Sequence, residues 1–357
     1  MGDKPQAKCS SSVEGQNLKG IRMRSVICVH EKYDGTWPFT ADHWHQRWED
    51  EGGCELYRTE DADPHAPEIV PDPAAVNRLV LLGFPTGRSD VEPFSSLEEC
   101  YVSESYGDDS GEGVAFLKEK GVTVLHPRGD VQWGQTVAEY ALGMTIAALR
   151  RIPMTYNAMI KGHETWNYNT QPGKPGQRGQ QFGDDTDYVS GTIHGKRVCV
   201  IGVGNIGGRY SKWCQMMGAD VAVWDPFAPD ASFDLAGVTR CWSLDELVTD
   251  SDIFAPMVPL TDSTRGLVTA DHINALPSQS LVLQVTRAKV CDTEALYKRV
   301  LNNELFLAAD VFDEEPVPLD SPLLGRANVI HTPHNAGRTI DANTARADDG
   351  IARFKRR

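Results

Sequence analysis

The sequence lacks the features of secreted, metal-binding and membrane-spanning proteins. Its eight cysteines are scattered and form no CxxC pair, so neither a disulfide framework nor a zinc or other metal site is expected. The first residues contain no apolar core of a signal peptide. No apolar run approaches the ~20 residues that a membrane span needs. We therefore expect a cytoplasmic protein that has no membrane partner.

Positive charge is also scarce. The chain has 35 Lys and Arg against 50 Asp and Glu, a formal net charge of −15, and one basic cluster, "RFKRR" at 353–357. Nucleic-acid binding relies on clustered basic side chains that neutralise phosphates, so no nucleic-acid partner is expected. With 357 residues the chain exceeds one typical core, and two domains are expected.

What the sequence does contain is an alternation of apolar strands and helices, which predicts an α/β fold with parallel sheets. Strands are predicted at 23–30, 54–60 and 77–85, and a long helix at 135–153 that begins near Thr136 and is stopped by Pro153. A polar stretch at 161–192 is followed by six apolar strands separated by helices, typical of a doubly wound sheet.

The first of those six strands runs into a glycine-rich turn, "VCVIGVGNIGG". Gly202, Gly204 and Gly207 match GxGxxG between a strand and a helix, the context that gives this motif meaning. Gly202 permits a tight turn, Gly204 lets the backbone approach a pyrophosphate, and Gly207 lets the helix pack on the strand. The following helix N-terminus favours negative charge, which predicts a dinucleotide site.

Asp225 ends the next strand, 23 positions after Gly202. A carboxylate there can accept hydrogen bonds from the adenine ribose diol and would repel a 2′-phosphate, which predicts NAD(H) as the cofactor. The structural alternative is an aspartate that only caps a loop.

Three later strand ends carry the residues of a candidate active site: Arg287, then Asp310 with Glu315 shortly after it, and His334. Arg287 could bind a substrate carboxylate bidentately. His334 could give a proton to a carbonyl oxygen, with Glu315 favouring its protonated form and fixing its orientation. His331, inside the last predicted strand, is expected to be a packed or capped structural histidine.

Together these segments resemble the D-isomer-specific 2-hydroxyacid dehydrogenases, the family of phosphoglycerate dehydrogenase and glyoxylate/hydroxypyruvate reductase. From about residue 100 onwards the motifs occur in the family's order: "TVAEYALGMTIAALRR", "GKRVCVIGVGNIGG", "VPLTDSTRGLV", "VTRAKVCDTEAL", "AADVFDEEP" and "NVIHTPHNAG". The resemblance implies a Rossmann-type NAD-binding sheet inserted in a smaller flavodoxin-like substrate domain. It also implies reversible reduction of a 2-keto acid to a D-2-hydroxy acid.

By the same resemblance Arg287, Glu315 and His334 occupy the catalytic positions, and Asp310 would hold the nicotinamide carboxamide. Further cofactor contacts are expected from Asn205, Ile206, Val258, Val285, Thr286 and Gly337. The substrate carboxylate would also be held by the backbone of Ser105, Tyr106 and Gly107.

Four positions depart from the family pattern. Ala288 replaces the glycine after the catalytic arginine, and Asn335 replaces an apolar neighbour of His334. Tyr106 and Trp133 make their loops bulkier than usual. The loops of Tyr106 and Trp133 are expected to set substrate choice. The alternative is that these two side chains simply pack between the domains.

The resemblance further predicts a substrate domain of residues 1–132 with 338–357, an NAD-binding domain of residues 133–337, and a homodimer formed through the latter. Two alternatives remain open from the sequence. One is a corepressor-like protein that binds NAD(H) as a conformational ligand. The other is a formate dehydrogenase, against which Glu315 argues because that relative pairs its histidine with glutamine.

Overall fold

A computed structural model describes residues 23–103, 111–166, 183–185 and 187–355. These residues form two compact units. The smaller unit holds the described residues up to Glu31 and those of His45–Leu125. The larger holds Lys32–Trp44 and the described residues from His126 onwards.

The smaller unit contains a parallel sheet. Its described strands are β1 (Ser25–His30), β2 (Glu55–Thr59), β3 (Arg78–Leu82), β4 (Glu99–Ser103) and β5 (Thr123–Leu125), in the order β2-β1-β3-β4-β5. All of these neighbours pair in parallel. The interior strand β1 is buried along its whole length, as a strand covered on both faces should be.

The larger unit contains a longer parallel sheet. Its described strands are β6 (Arg197–Ile201), β7 (Asp220–Trp224), β8 (Thr239–Cys241), β9 (Ile253–Pro256), β10 (Leu281–Gln284), β11 (Phe306–Ala309) and β12 (Val329–His331). Their order is β12-β11-β10-β9-β6-β7-β8, so the direction of winding reverses beside β6. Ligands of open α/β sheets bind at such a reversal, beyond the carboxyl ends of the strands.

Helices connect the strands in both units. Those that begin before Leu125 are α1 (Glu31–Thr36), α2 (Thr40–Asp50), α3 (Ala66–Ile69), α4 (Arg88–Val91) and α5 (Glu112–Glu119). Those that follow are α6 (Gly129–Leu149), α7 (Ile152–Met159), α8 (Gly207–Met216), α9 (Asp230–Ala236), α10 (Leu244–Thr249), α11 (Ala270–Ala275), α12 (Thr293–Leu301) and α13 (Ile340–Ile351). No helix among the described residues is long and apolar enough to cross a membrane.

The core of the larger unit has two layers because its strands are apolar on both faces. Val198 and Val200 of β6 pack in one cluster with α6, whereas Cys199 and Ile201 pack on the opposite face. Continuous apolar strands of this kind are typical of parallel sheets covered by helices on both sides. The predicted α/β fold with parallel sheets is thereby confirmed.

The long helix was placed correctly but its ends were not. Helix α6 begins at Gly129, ahead of Thr136, and ends at Leu149. Arg151 then adopts a left-handed conformation (φ 52°), and Pro153 lies in the first turn of α7, so it starts the next helix instead of stopping the previous one. A proline fits there because the first turn of a helix needs no backbone N–H donor.

Two strands were missed from the sequence. Strand β8 is only three residues long, and β4 begins with a buried glutamate, Glu99, which hides its apolar character. The sheet of the larger unit therefore has one described strand more than the six predicted.

The predicted domain boundaries remain a prediction. Two segments predicted to lie in the substrate domain, 32–44 and the tail that forms α13, belong to the larger compact unit. Helix α13 packs against α6, and Asn343 accepts hydrogen bonds from the backbone of Phe39 (3.1 Å) and the hydroxyl of Thr40 (3.3 Å).

Candidate active site

The glycine turn follows β6 directly. Gly202 has φ +93°, and a β-carbon there would lie 2.8 Å from Cγ1 of Val258 and 3.0 Å from the carbonyl oxygen of Met257. A β-carbon at Gly207 would overlap the carbonyl oxygen of Gly202. Both glycines are therefore required by the protein's own packing, which brings β6, β9 and the start of α8 together.

Gly204 differs from its neighbours because a β-carbon there would meet nothing within 4 Å. Its missing side chain leaves open space beside the turn, which is what close approach of a pyrophosphate requires. Asn205 and Ile206 complete the turn, and α8 begins immediately afterwards. The carbonyl oxygen of Asn205 accepts a hydrogen bond from Nη1 of Arg209 (2.7 Å).

Asp225 follows the end of β7 and is held by three backbone donors. Its Oδ2 accepts from the N–H of Val203 (3.1 Å), and its Oδ1 accepts from the N–H groups of Phe227 and Ala228 (both 3.0 Å). The carboxylate thus ties the glycine turn to the next strand. Since a carboxylate has about four acceptor positions, one remains for a ribose hydroxyl.

The next predicted cofactor residues lie at the ends of β9 and β10. Val258 lies against Gly202, as described above, and Val285 and Thr286 directly follow β10. The hydroxyl of Thr286 donates to the carbonyl oxygen of Pro256 (3.1 Å), which links these two strand ends. The structure therefore brings these residues to the same edge as the glycine turn.

Arg287 is exposed one position further on. Its Nη1 donates to the carbonyl oxygen of Thr286 (2.7 Å), and the ion pairs found among the described residues do not include it. An exposed guanidinium that retains most of its donors can bind an anion. Ala288, the departure from the family's glycine, is 3% exposed, so its methyl group is accommodated inside the protein.

His334 and Glu315 form a hydrogen-bonded pair. Nδ1 of the imidazole lies 2.7 Å from Oε2 of Glu315, and the other carboxylate oxygen accepts from the N–H of Phe312 (2.8 Å). Both side chains are partly exposed, 40% for His334 and 34% for Glu315. Because Nδ1 faces the carboxylate, Nε2 is the nitrogen left to exchange a proton with a substrate.

Asp310 anchors the turn that carries His334. It follows β11, is completely buried, and accepts hydrogen bonds from the hydroxyl of Thr332 (2.7 Å) and the N–H groups of Asn335 (3.0 Å) and Ala336 (2.9 Å). These contacts help to hold His334 in a left-handed conformation (φ 53°), which a non-glycine residue adopts only at a cost. Its expected contact with a nicotinamide carboxamide remains a prediction.

Tyr140 on α6 adds a second support to this turn. Its hydroxyl donates to Oδ1 of Asn335 (2.9 Å). Burial raises the pKa of Tyr140 above its usual value, so the phenol stays protonated and remains a donor. This explains how the unusual Asn335 is accommodated. Tyr140 and Thr332 were not identified from the sequence, because no motif marks a contact between residues so far apart in the chain.

The predictions for the substrate-binding turn, for Gly337 and for His331 have different outcomes. Ser105, Tyr106 and Gly107 lie outside the described residues. Gly337 lies against the ring of Trp133, and its contact with a cofactor remains a prediction. His331 ends β12 and is exposed, so it is not packed in the core, and the expectation of a capped structural histidine remains a prediction.

A cavity of about 540 Å³ adjoins the His334–Glu315 pair. Its walls are partly apolar, and its described lining residues include Phe312, Val317, His331 and Arg338. The pair is therefore open to a small molecule, as a proton donor to a substrate must be.

Cysteine chemistry is disfavoured at six of the described thiols. Burial raises the pKa of Cys54, Cys100, Cys214 and Cys291 to about 12, and that of Cys199 to about 11. Burial also raises the pKa of Cys28. These groups remain neutral thiols, whereas a nucleophilic cysteine needs its thiolate form.

Comparison with known proteins identifies the same family as the sequence motifs do. Residues 142–336, more than half of the chain, match the family described as "D-isomer specific 2-hydroxyacid dehydrogenase, NAD binding domain". The D-3-phosphoglycerate dehydrogenase of Methanocaldococcus jannaschii is 30% identical over 233 residues, which is 65% of this chain and 40% of that protein. The hydroxypyruvate reductase of Thermotoga maritima is 31% identical over 233 residues, 64% of this chain and 68% of that protein.

A solved structure shows the same fold. The phosphoglycerate oxidoreductase from Rhizobium etli superposes with a TM-score of 0.70 at 22% identity, covering 92% of this chain and 93% of that one. The glycine turn, the aspartate after the next strand and the matched NAD-binding region agree with one another. The chain belongs to the D-isomer specific 2-hydroxyacid dehydrogenase family.

Proposed function

We propose that this protein is an NAD(H)-dependent oxidoreductase that interconverts a 2-keto acid and a D-2-hydroxy acid. The observation that carries the proposal is the hydrogen bond between Nδ1 of His334 and Oε2 of Glu315 (2.7 Å). This pair, Arg287 and the glycine turn all follow strands of the same sheet. The family match and the names of the relatives support the same reaction class.

The residues of the turn fit a dinucleotide. Gly204 leaves room for a pyrophosphate, and Asp225 keeps an acceptor position for a ribose hydroxyl while its charge opposes a 2′-phosphate. Val258, Val285 and Thr286 would line the inner part of the cofactor site. When bound, the nicotinamide supplies the hydride that reduces the keto carbon.

In the direction of reduction, Arg287 binds the substrate carboxylate through its exposed guanidinium and orients the neighbouring carbonyl group. His334, protonated, gives the proton on Nε2 to the carbonyl oxygen, so that keto acid, reduced cofactor and one proton yield hydroxy acid and oxidised cofactor. Glu315 orients the ring through Nδ1 and stabilises its positive charge until the proton leaves. In the reverse direction the neutral imidazole accepts the proton.

The test is a panel of 2-keto acids with NADH and with NADPH. Glyoxylate, hydroxypyruvate, pyruvate, phosphohydroxypyruvate and bulkier keto acids are incubated with the full chain, and cofactor oxidation is followed by its absorbance. At least one acid should be reduced, with NADH preferred over NADPH. If NADH binds but no acid is reduced, the protein acts as an NAD(H)-binding protein and the proposed activity is rejected.

We further propose that the protein is a homodimer. Four large apolar side chains of α7 and its end are exposed to 47–67%: Ile152, Tyr156, Met159 and Ile160. Exposed apolar clusters of this kind mark interaction surfaces. Sedimentation equilibrium should give about twice the chain mass of 39.3 kDa. A single species at the monomer mass at micromolar concentration would exclude this arrangement.

A further inference from the structure

Gly337 follows His334 by three positions, and the ring of Trp133 lies directly against it. A β-carbon at position 337 would overlap Cζ3 and Cε3 of the indole. The backbone at Gly337 does not have the left-handed φ that itself demands glycine. The ring of Trp133 is therefore the reason that no side chain fits at this position.

The ring of Trp133 also packs against a buried aromatic side chain. Its centroid is 4.6 Å from that of Trp37, which is 3% exposed. The guanidinium of Arg346 lies over Trp37 at 4.6 Å and donates through Nε to the hydroxyl of Tyr33 (2.7 Å). Trp133 thus contacts both Gly337 and a buried side chain that is itself held by Arg346.

The turn that carries His334 is fixed at its centre by Asp310, through the N–H groups of Asn335 and Ala336. At the far end of the turn, the indole of Trp133 lies against Gly337. Since His334 has a strained left-handed backbone (φ 53°), its conformation depends on such surrounding constraints.

We propose that Trp133 is a positioning residue for His334: its indole, seated on Gly337, keeps the turn in the conformation that places the imidazole against Glu315. The proposal rests on the function proposed above, in which His334 transfers the proton. It predicts that Trp133 and Gly337 depend on each other, since a larger residue at 337 is tolerated only when the ring is removed.

A double-mutant cycle tests this dependence. Gly337→Ala, Trp133→Ala and the combined variant are compared with the wild type for kcat, KM for the best keto acid, and NADH affinity by fluorescence titration. Gly337→Ala should lower kcat by roughly a hundredfold, and Trp133→Ala should lower it by roughly tenfold with NADH affinity of that variant within about twofold. Residues in contact are non-additive, so the combined variant should be more active than Gly337→Ala.

Trp133→Phe is the conservative control, since a smaller flat ring can still lie on Gly337, and it should recover most of the kcat lost in Trp133→Ala. The proposal fails if Gly337→Ala keeps kcat within twofold of the wild type, if the two effects simply multiply, or if only KM for the keto acid changes. If Gly337→Ala does not fold, folding and activity of the combined variant decide, because removing the ring should restore both.

Failure of the proposed function is recognised separately. Wild-type activity in His334→Ala would reject the proton-transfer role, whereas the contact between Trp133 and Gly337 would still appear as non-additive thermal unfolding of the four proteins.

Discussion

Two histidine–carboxylate pairs, one in each compact unit, have nearly the same geometry. In the smaller unit Nδ1 of His65 lies 2.6 Å from Oδ1 of Asp90. In the larger unit Nδ1 of His334 lies 2.7 Å from Oε2 of Glu315. By distance alone, either could be the acid–base pair of an enzyme.

Their surroundings differ. Asp90 is 6% exposed and its other oxygen accepts from the N–H of Gly87 (2.8 Å), closing the first turn of α4, while His65 directly precedes α3. This pair joins two short helices. Glu315 and His334 are 34% and 40% exposed, and His334 has a left-handed backbone. The two histidines are similarly exposed, 36% for His65 and 40% for His334, so the exposed carboxylate and the strained backbone of His334, and not the hydrogen bond itself, separate the proposed functional pair from the structural one.

The sharpest test of this difference is to remove each histidine. His334→Ala should lower the rate of keto-acid reduction by about 10²- to 10⁴-fold, the usual contribution of a general acid. His65→Ala should leave the rate within about twofold. Steady-state NADH oxidation measures both, and NADH affinity should be unchanged in both. An equal loss in the two variants, with both folded, would contradict the distinction.

Replacing the carboxylates is expected to have a smaller effect. Glu315→Gln keeps a hydrogen-bond acceptor but removes the charge that stabilises the imidazolium, so kcat should fall roughly tenfold to a hundredfold, a part of the general-acid contribution. The matched change in the smaller unit, Asp90→Asn, should leave kcat unaltered and lower the temperature of thermal unfolding. A Glu315→Gln enzyme with normal kcat would show that the charge is not needed.

The smallest expected effect is a pH dependence of stability in the smaller unit. The hydrogen bond to Asp90 raises the pKa of His65 above its ordinary value of 6.5. A raised pKa in the folded state means that the pair's stabilisation is fully present below about pH 6.5 and is lost as pH rises through the folded pKa. His65→Gln should therefore lower the unfolding temperature more at pH 6 than at pH 9.

Thermal unfolding scans of wild type and His65→Gln at the two pH values measure this difference. The effect should amount to a few degrees at most, because the His65 side chain is 36% exposed and solvent screens its charge. A deficit that grows towards high pH would show that the protonated form of His65 is not the stabilising one.

Several elements could be predicted because their causes are local. Apolar runs such as "RVCVI" form strands wherever a parallel sheet buries both faces, and a glycine turn between strand and helix needs only its own residues. Strand β8 has only three residues, and β4 begins with a buried glutamate. Neither therefore has a run of apolar residues from which a strand could be predicted. Pro153 was misjudged because the same residue can end one helix or begin the next.

By itself, the sequence determined the α/β class, the dinucleotide turn, the family and the residues proposed for catalysis, because each depends on short motifs and their order. Only the tertiary structure decided which contacts these residues make. It placed the carboxylate of Asp310 under the turn of His334, the hydroxyl of Tyr140 on Asn335, and the ring of Trp133 on Gly337. Such contacts join residues far apart in the chain, and only the packing of strands and helices brings them together.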